Sequence, residues 1–229
     1  LHDIRPLVMD TDKGFFRFKF WVHCLSTKWF AQRVFTVSDN QRHLISEKLG
    51  IPLDKIGITY NGWEHMKNVT PDESIFDKMP GVKKGEYFYA LGSLAKHKNF
   101  KWIREVARRS PDKTFVVAGG KDLRAFGDDA EAKDTHNVFY PGYVSDAENA
   151  ALMKHCKLFL HPAVFEGFGI PPLEALALGC YFAELTETVT APEVPAGALL
   201  PHLLNGLYAL SALQKPPALV KPAFEIKLL

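Results

Sequence analysis

Two carboxylates, Glu166 and Glu174, bracket the turn Gly167-Phe168-Gly169-Ile170-Pro171-Pro172. The preceding run Lys157-Leu158-Phe159-Leu160-His161-Pro162 reads as a buried parallel strand stopped by proline. The paired prolines suit a first helical turn, where their missing N–H would be unpaired anyway. Leu173, Leu176 and Ala177 then give that helix an inward face, and Gly179 ends it. Strand, glycine turn and helix start together place backbone amides and the positive end of a helix dipole toward an anion. A carboxylate aimed at a phosphate is repelled, so a pair flanking such a turn suits hydroxyls on either side of the phosphate, as in a sugar nucleotide. The plainer alternative keeps Glu174 as a complement to the helix dipole and Glu166 as a solvated loop residue. The third glycine of the dinucleotide fingerprint is absent, so Gly-x-Gly by itself does not identify a dinucleotide.

A second group lies upstream. Tyr87-Phe88-Tyr89-Ala90-Leu91 is a strand ending at Gly92, and Lys98 follows a few residues later. A flexible ammonium beside a glycine turn is a reasonable diphosphate ligand, although Lys96, Lys98 and Lys101 also read as solvated lysines. Gly119-Gly120-Lys121 repeats the pattern more weakly after the strand Thr114–Ala118.

The elements that position these groups alternate between strand and helix. Val34–Ser38 is a β-branched strand; Ser38 caps a helix from Gln41 to Leu49, which Gly50 closes. Ile56–Tyr60 is a strand ended by Asn61-Gly62. Further on come a helix from Phe100 to Arg109, a strand at Asn137–Tyr140, and a helix opened by Ser145 with Glu148 three residues later. This alternation predicts α/β architecture with doubly wound parallel sheets and right-handed crossovers. Ligands in such sheets sit at the carboxyl ends of the strands, where Gly92, Gly119, Gly142 and Glu166 fall. The expected division is a first domain over 1–70, a linker over 71–83, and a second domain over 84–229. Phe15–Phe30 is aromatic and basic, and reads as an amphipathic helix packed on its own domain; the alternative is a surface for a membrane or a lipid-linked acceptor.

Composition narrows the classes. Of 229 residues, 47% are hydrophobic and 24% charged, an ordinary globular balance. The net charge of +2 is too small to imply nucleic acid. Cys24, Cys156 and Cys180 form neither a disulfide framework nor a zinc pattern, which favours a reducing compartment. No apolar run approaches the roughly 18 residues of a membrane span, and Leu1–Arg5 lacks signal-peptide character.

The run Glu166-Gly167-Phe168-Gly169-Ile170-Pro171 with Leu173-Glu174-Ala175 resembles the two-glutamate motif of retaining GT-B glycosyltransferases of family 4, the group 1 glycosyltransferases, with mannosyl- and rhamnosyltransferases among them. The resemblance covers residues 2–180 and implies a GT-B type fold of doubly wound, Rossmann-like sheets with an incomplete first domain. Residues 1–70 would then be the C-terminal part of the acceptor-side domain, and 84–229 the nucleotide-sugar domain. The implied catalytic residues are His2, the first-domain histidine that reaches the donor sugar, and Glu166, which lies against that sugar. Glu174 would hold the ribose hydroxyls, and the backbone of Phe168, Gly169 and Ile170 would approach the donor. Gly92, Ser93 and Lys98 resemble the donor loop, whose lysine neutralises the diphosphate; many members carry arginine where Ser93 stands. Tyr143 falls in the segment over the base.

The implied activity is transfer of a hexose-type sugar from a nucleotide diphosphate donor to a glycan or lipid-linked acceptor, as in polysaccharide biosynthesis. No cofactor or metal is expected, and no nucleic acid. The expected location is cytoplasmic, at the inner membrane face if the aromatic helix touches lipid. The competing expectation is a non-catalytic nucleotide-sugar-binding module, or half of a two-chain glycosyltransferase. A GT-B phosphorylase is a further option for which no pyridoxal-lysine context can be argued. From 181 onward the sequence departs from the family pattern. Seven charged residues and six prolines in the last 49 leave only Ala198 to Lys215 for a helix.

Overall fold

The computed structural model describes residues 1–9, 14–93, 95–119 and 136–184. The helix expected at Ala198 to Lys215, and the pair Gly120-Lys121, lie outside the described residues. The described residues divide into two compact units, one formed by those within 1–68 and 165–174, the other by those within 69–164 and 175–184.

In the first unit, a short helix α1 (Arg5–Val8) with Pro6 in its first turn precedes α2 (Gly14–Phe30), β1 (Val34–Thr36), α3 (Asp39–Leu49) and β2 (Ile56–Ile58). β1 and β2 pair in parallel, Val34 opposite Ile56 and Thr36 opposite Ile58. Ile4, Cys24, Val34, Ile45, Leu49, Ile51 and Ile56 form the core of the unit. α3 starts as its sequence dictates: the Ser38 hydroxyl accepts a hydrogen bond from the Gln41 amide at 3.2 Å. It stops at Gly50, whose φ of 63° is the left-handed conformation a β-carbon disfavours. α2 buries Cys24, while Phe15, Phe16, Phe18, Trp21, Trp29 and Phe30 are exposed.

The second unit holds a five-stranded parallel sheet in the order β5-β4-β3-β6-β7. Its strands are β3 (Tyr87–Leu91), β4 (Thr114–Ala118), β5 (Val138–Gly142), β6 (Leu158–His161) and β7 (Phe182–Glu184). Among the described residues its helices are α4 (Phe100–Arg109), α5 (Asp146–His155) and the end of α6 (Ile170–Ala177), which contributes from Ala175 onward. Strand alternation sends Phe88 and Ala90 to one face, where α4 packs through Phe100, Ile103, Val106 and Ala107. Tyr87 and Tyr89 point to the other face, against Ala151, Leu152 and Met153 of α5 and Ala175 of α6. Helices on both faces make the sheet doubly wound, as the alternation predicts. The buried tyrosine hydroxyls find partners, as low-dielectric burial demands: Tyr87 donates to the Leu152 carbonyl at 2.7 Å, and Tyr89 to Asn149 Oδ1 at 2.8 Å. Ser145 and Glu148 close the reciprocal capping box at the start of α5, and Lys78 holds the Glu148 carboxyl below its usual range.

Two segments differ from expectation. The linker expected at 71–83 carries a 3-10 helix (Glu73–Lys78) and packs into the second unit, because Ile75, Met79 and Val82 are apolar on one side and bury there. Residues 182–184, where the family pattern lapses, nonetheless form a parallel strand beside β6, Phe159 opposite Phe182 and Leu160 opposite Ala183.

Candidate active site

Within the second unit the chain runs outward from β3 to β4 and β5, then returns to the other side of β3 as β6 and β7. The reversal between β3 and β6 is the topological switch point, outside which parallel sheets bind ligands. Gly92 and Ser93 leave the end of β3 there. A 3-10 turn, Lys96–Lys98, follows, and Asn99 adopts a left-handed φ of 53° before α4 begins. The His97 carbonyl accepts from the Val164 amide at 2.8 Å, tying this loop to the segment that leaves β6. Lys98 is half-buried, and its aliphatic stem passes close to Gly92.

The glycines at this edge are positional. Gly119 has φ of 101°, and a β-carbon there would lie far inside contact distance of the Gly92 carbonyl. Its amide donates to the Gly142 carbonyl at 2.8 Å, and the Gly92 amide donates to the Ala118 carbonyl at 3.1 Å. Three strand ends thus approach through backbone alone. Tyr143, next to Gly142, is 76% exposed.

The segment 165–174 packs with the first unit. Gly169 is left-handed, with φ of 86°, and turns the chain into α6. Pro171 and Pro172 have no N–H, and the Leu173 amide bonds the Gly169 carbonyl at 3.3 Å. The donors this helix start can present are therefore those of residues 168–170. Ser38 links α3 to the turn: beyond capping its helix, its hydroxyl donates to the Gly167 carbonyl at 2.7 Å. His2 is exposed, and its carbonyl accepts from the Thr36 hydroxyl at 3.5 Å. That carbonyl lies 3.3 Å from where a Gly167 β-carbon would stand, so His2 and the turn are neighbours in this unit. The Phe168 ring lies 6.3 Å from that of Tyr60, and Ile170 is partly exposed.

Glu166 is half-buried, whereas Glu174 is 8% exposed. Glu174 Oε1 accepts a hydrogen bond from His65 Nε2 at 2.7 Å. His65 lies in the 3-10 helix Glu64–Asn68 beyond β2, and no local pattern connects it with a carboxylate 109 residues on. Sequence reasoning did not single it out. The only signal was its place just after Asn61-Gly62 at a strand end.

Within the first unit the turn thus brings together His2, Phe168, Gly169 and Glu174 with Ser38 and His65; in the second, Gly92, Ser93, Lys98 and Tyr143 sit at the strand-end edge. Among the described residues no three His, Cys, Asp or Glu side chains group as a metal site, and no helix is long and apolar enough to cross a membrane.

The chain has a GT-B type fold. Among solved structures it is similar to Anabaena HepE in complex with UDP-glucose, with a TM-score of 0.67 at 18% identity over 93% of this chain and 62% of that one. Residues 72–182 match the family model of glycosyl transferases group 1. It is 29% identical over 186 residues to the O-antigen chain mannosyltransferase RfbU of Salmonella typhimurium, covering 77% of this chain and 48% of the relative. It is 26% identical over 198 residues to O-antigen chain mannosyltransferase B of Escherichia coli, covering 80% and 50%. The chain therefore spans about half the length of the curated relatives it matches.

Proposed function

We propose that the chain belongs to a retaining, family 4 glycosyltransferase that moves a hexose-type sugar from a nucleoside diphosphate donor to a glycan or lipid-linked acceptor. The observation that carries this reading is the turn between β6 and α6. A left-handed Gly169 and two prolines restrict the available amide donors to residues 168–170, with Glu166 and Glu174 on either side. The mannosyltransferase relatives support the hexose, and the complex of HepE with UDP-glucose supports a nucleotide-sugar donor.

In this proposal Glu174 accepts hydrogen bonds from the ribose hydroxyls, Glu166 and His2 orient the donor sugar, and Tyr143 lies over the base. As the bond from the anomeric carbon to the diphosphate oxygen breaks, its electron pair goes to the diphosphate. The 168–170 amides and Lys98, with Gly92 and Ser93 letting the backbone approach, stabilise that growing charge, and fixed donors lower such a barrier most. The acceptor hydroxyl attacks from the face the diphosphate leaves and passes its proton to the departing phosphate oxygen. The anomeric configuration is thereby retained, without a covalent intermediate on Glu166. The reaction uses no metal or other cofactor and takes place on the cytoplasmic side of a membrane.

The test is a panel of nucleotide sugars. A donor at 100 times its dissociation constant stabilises the fold by about 2.7 kcal/mol, which is visible as a rise in melting temperature. That donor then releases nucleoside diphosphate on addition of acceptor, unchanged by chelator, and proton NMR of the product shows the donor's anomeric configuration. Stabilisation without any nucleoside diphosphate release identifies a binding module instead. The absence of both stabilisation and release rejects the proposal.

A further inference from the structure

We infer that His65 is a positioning residue for the ribose carboxylate, setting the discrimination between ribose and deoxyribose at the donor's nucleoside. The inference rests on the reading of Glu174 given above. The Glu174 side chain is 11% exposed and His65 Nε2 stands 2.7 Å from its Oε1, whereas the His65 side chain is half open to solvent. A carboxylate on the second turn of an eight-residue helix can rotate about three side-chain bonds. One directional N–H bond to Oε1 removes most of that freedom and leaves Oε2 to accept from a hydroxyl.

The geometry also explains why an imidazole stands here. With a proton on Nε2, the imidazole donates one hydrogen bond to Oε1 at 2.7 Å and offers no second donor on that side of the ring. A lysine would instead bring a fixed charge and three donors to the same place, competing with ribose hydroxyls for both carboxylate oxygens. The 3-10 helix Glu64–Asn68 that carries His65 is anchored by Met66, which is buried, and by the Met66 amide donating to the Trp63 carbonyl at 2.9 Å. The imidazole is thus presented from ordered backbone, and the carboxylate is oriented before any nucleotide arrives. Pre-orientation of this kind acts on affinity for the group being recognised rather than on the rest of the ligand.

The experiment measures dissociation constants of UDP and GDP, and of their 2′-deoxy and 3′-deoxy counterparts, by calorimetry. The proteins compared are the parent, His65→Ala, His65→Gln and Glu174→Ala. The parent is expected to prefer the ribonucleotide. His65→Ala lowers that preference by roughly 3- to 10-fold, the worth of a typical net hydrogen bond, while binding of the deoxy ligands stays within twofold. His65→Gln, whose amide N–H can reach the same oxygen, restores most of the preference. A residue that only supported the fold would weaken ribo- and deoxyribonucleotides equally, so equal losses overturn the inference. The preference falling in Glu174→Ala but not in His65→Ala overturns the inference and leaves the role of Glu174 standing. A preference unchanged in Glu174→Ala, or no binding of either nucleotide to the parent, overturns both.

Discussion

Ser38 gives the sharpest energetic test of how the turn is held. Its hydroxyl performs two tasks: it accepts the Gln41 amide as the cap of α3, and it donates to the Gly167 carbonyl. Losing a serine cap costs about 1 kcal/mol. Losing a part-buried hydrogen bond costs about 1 kcal/mol more. Ser38→Ala should therefore destabilise the first unit by about 2 kcal/mol. Ser38→Asp keeps a cap acceptor but has no proton for Gly167, and should cost about 1 kcal/mol. Ser38→Thr retains both groups and should be near neutral. Trp21, Trp29 and Trp63 lie in the first unit and Trp102 in the second, so urea unfolding followed by tryptophan fluorescence in a Trp102→Phe background isolates the relevant transition. With a urea slope of about 1 kcal/mol per molar for a unit this small, Ser38→Ala lowers the midpoint by about 2 M. An Ala variant within about 0.5 kcal/mol of the parent refutes the reasoning. An Asp variant equal to the parent refutes the Gly167 contribution alone.

Gly119→Ala combines a left-handed backbone position with a clash against the Gly92 carbonyl, so it should cost more than about 3 kcal/mol and yield little folded protein; a melting temperature near that of the parent would contradict it. Lys98→Ala should weaken nucleoside diphosphate binding more than nucleoside binding, because its charge is assigned to the phosphates; equal losses by calorimetry would place it elsewhere. Hydrogen bonds from Lys84 and then His155 lower the Glu73 carboxyl from 4.5 to about 2. A depressed folded value means that its contribution is present above about pH 4.5 and is lost as pH falls toward 2, so Glu73→Gln should flatten the acid limb of a stability-against-pH curve in that window. The sulfurs of Cys156 and Cys180 lie 3.0 Å apart, and their hydrogen bond, followed by burial, raises the Cys156 thiol above its ordinary range. Cys156 should therefore alkylate slowly with iodoacetamide at pH 8, and faster in Cys180→Ala, with unchanged rates counting against the mutual hydrogen bond.

What was legible in the sequence is what short-range chemistry controls. Ser38 before Asp39–Leu49 and Gly50 after it, the Ser145–Glu148 box, and the apolar runs of the sheet each act through neighbours within a few residues. Their structures follow from backbone sterics and from hydrogen bonds that any such spacing can make. The glycine turn before Pro171 and Pro172 was readable for the same reason. Strand order, by contrast, depends on which faces bury against each other, and the composition of one strand carries no record of its partner. The apolar side of the 3-10 helix Glu73–Lys78 looked like linker because Ile75, Met79 and Val82 gain meaning only from the sheet face they cover. Ser38 meets Gly167 across 129 positions and His65 meets Glu174 across 109. Those two bonds exist because the chain returns to residues 1–68 after building most of another sheet, and closure over such distances is decided by tertiary packing rather than by local pattern.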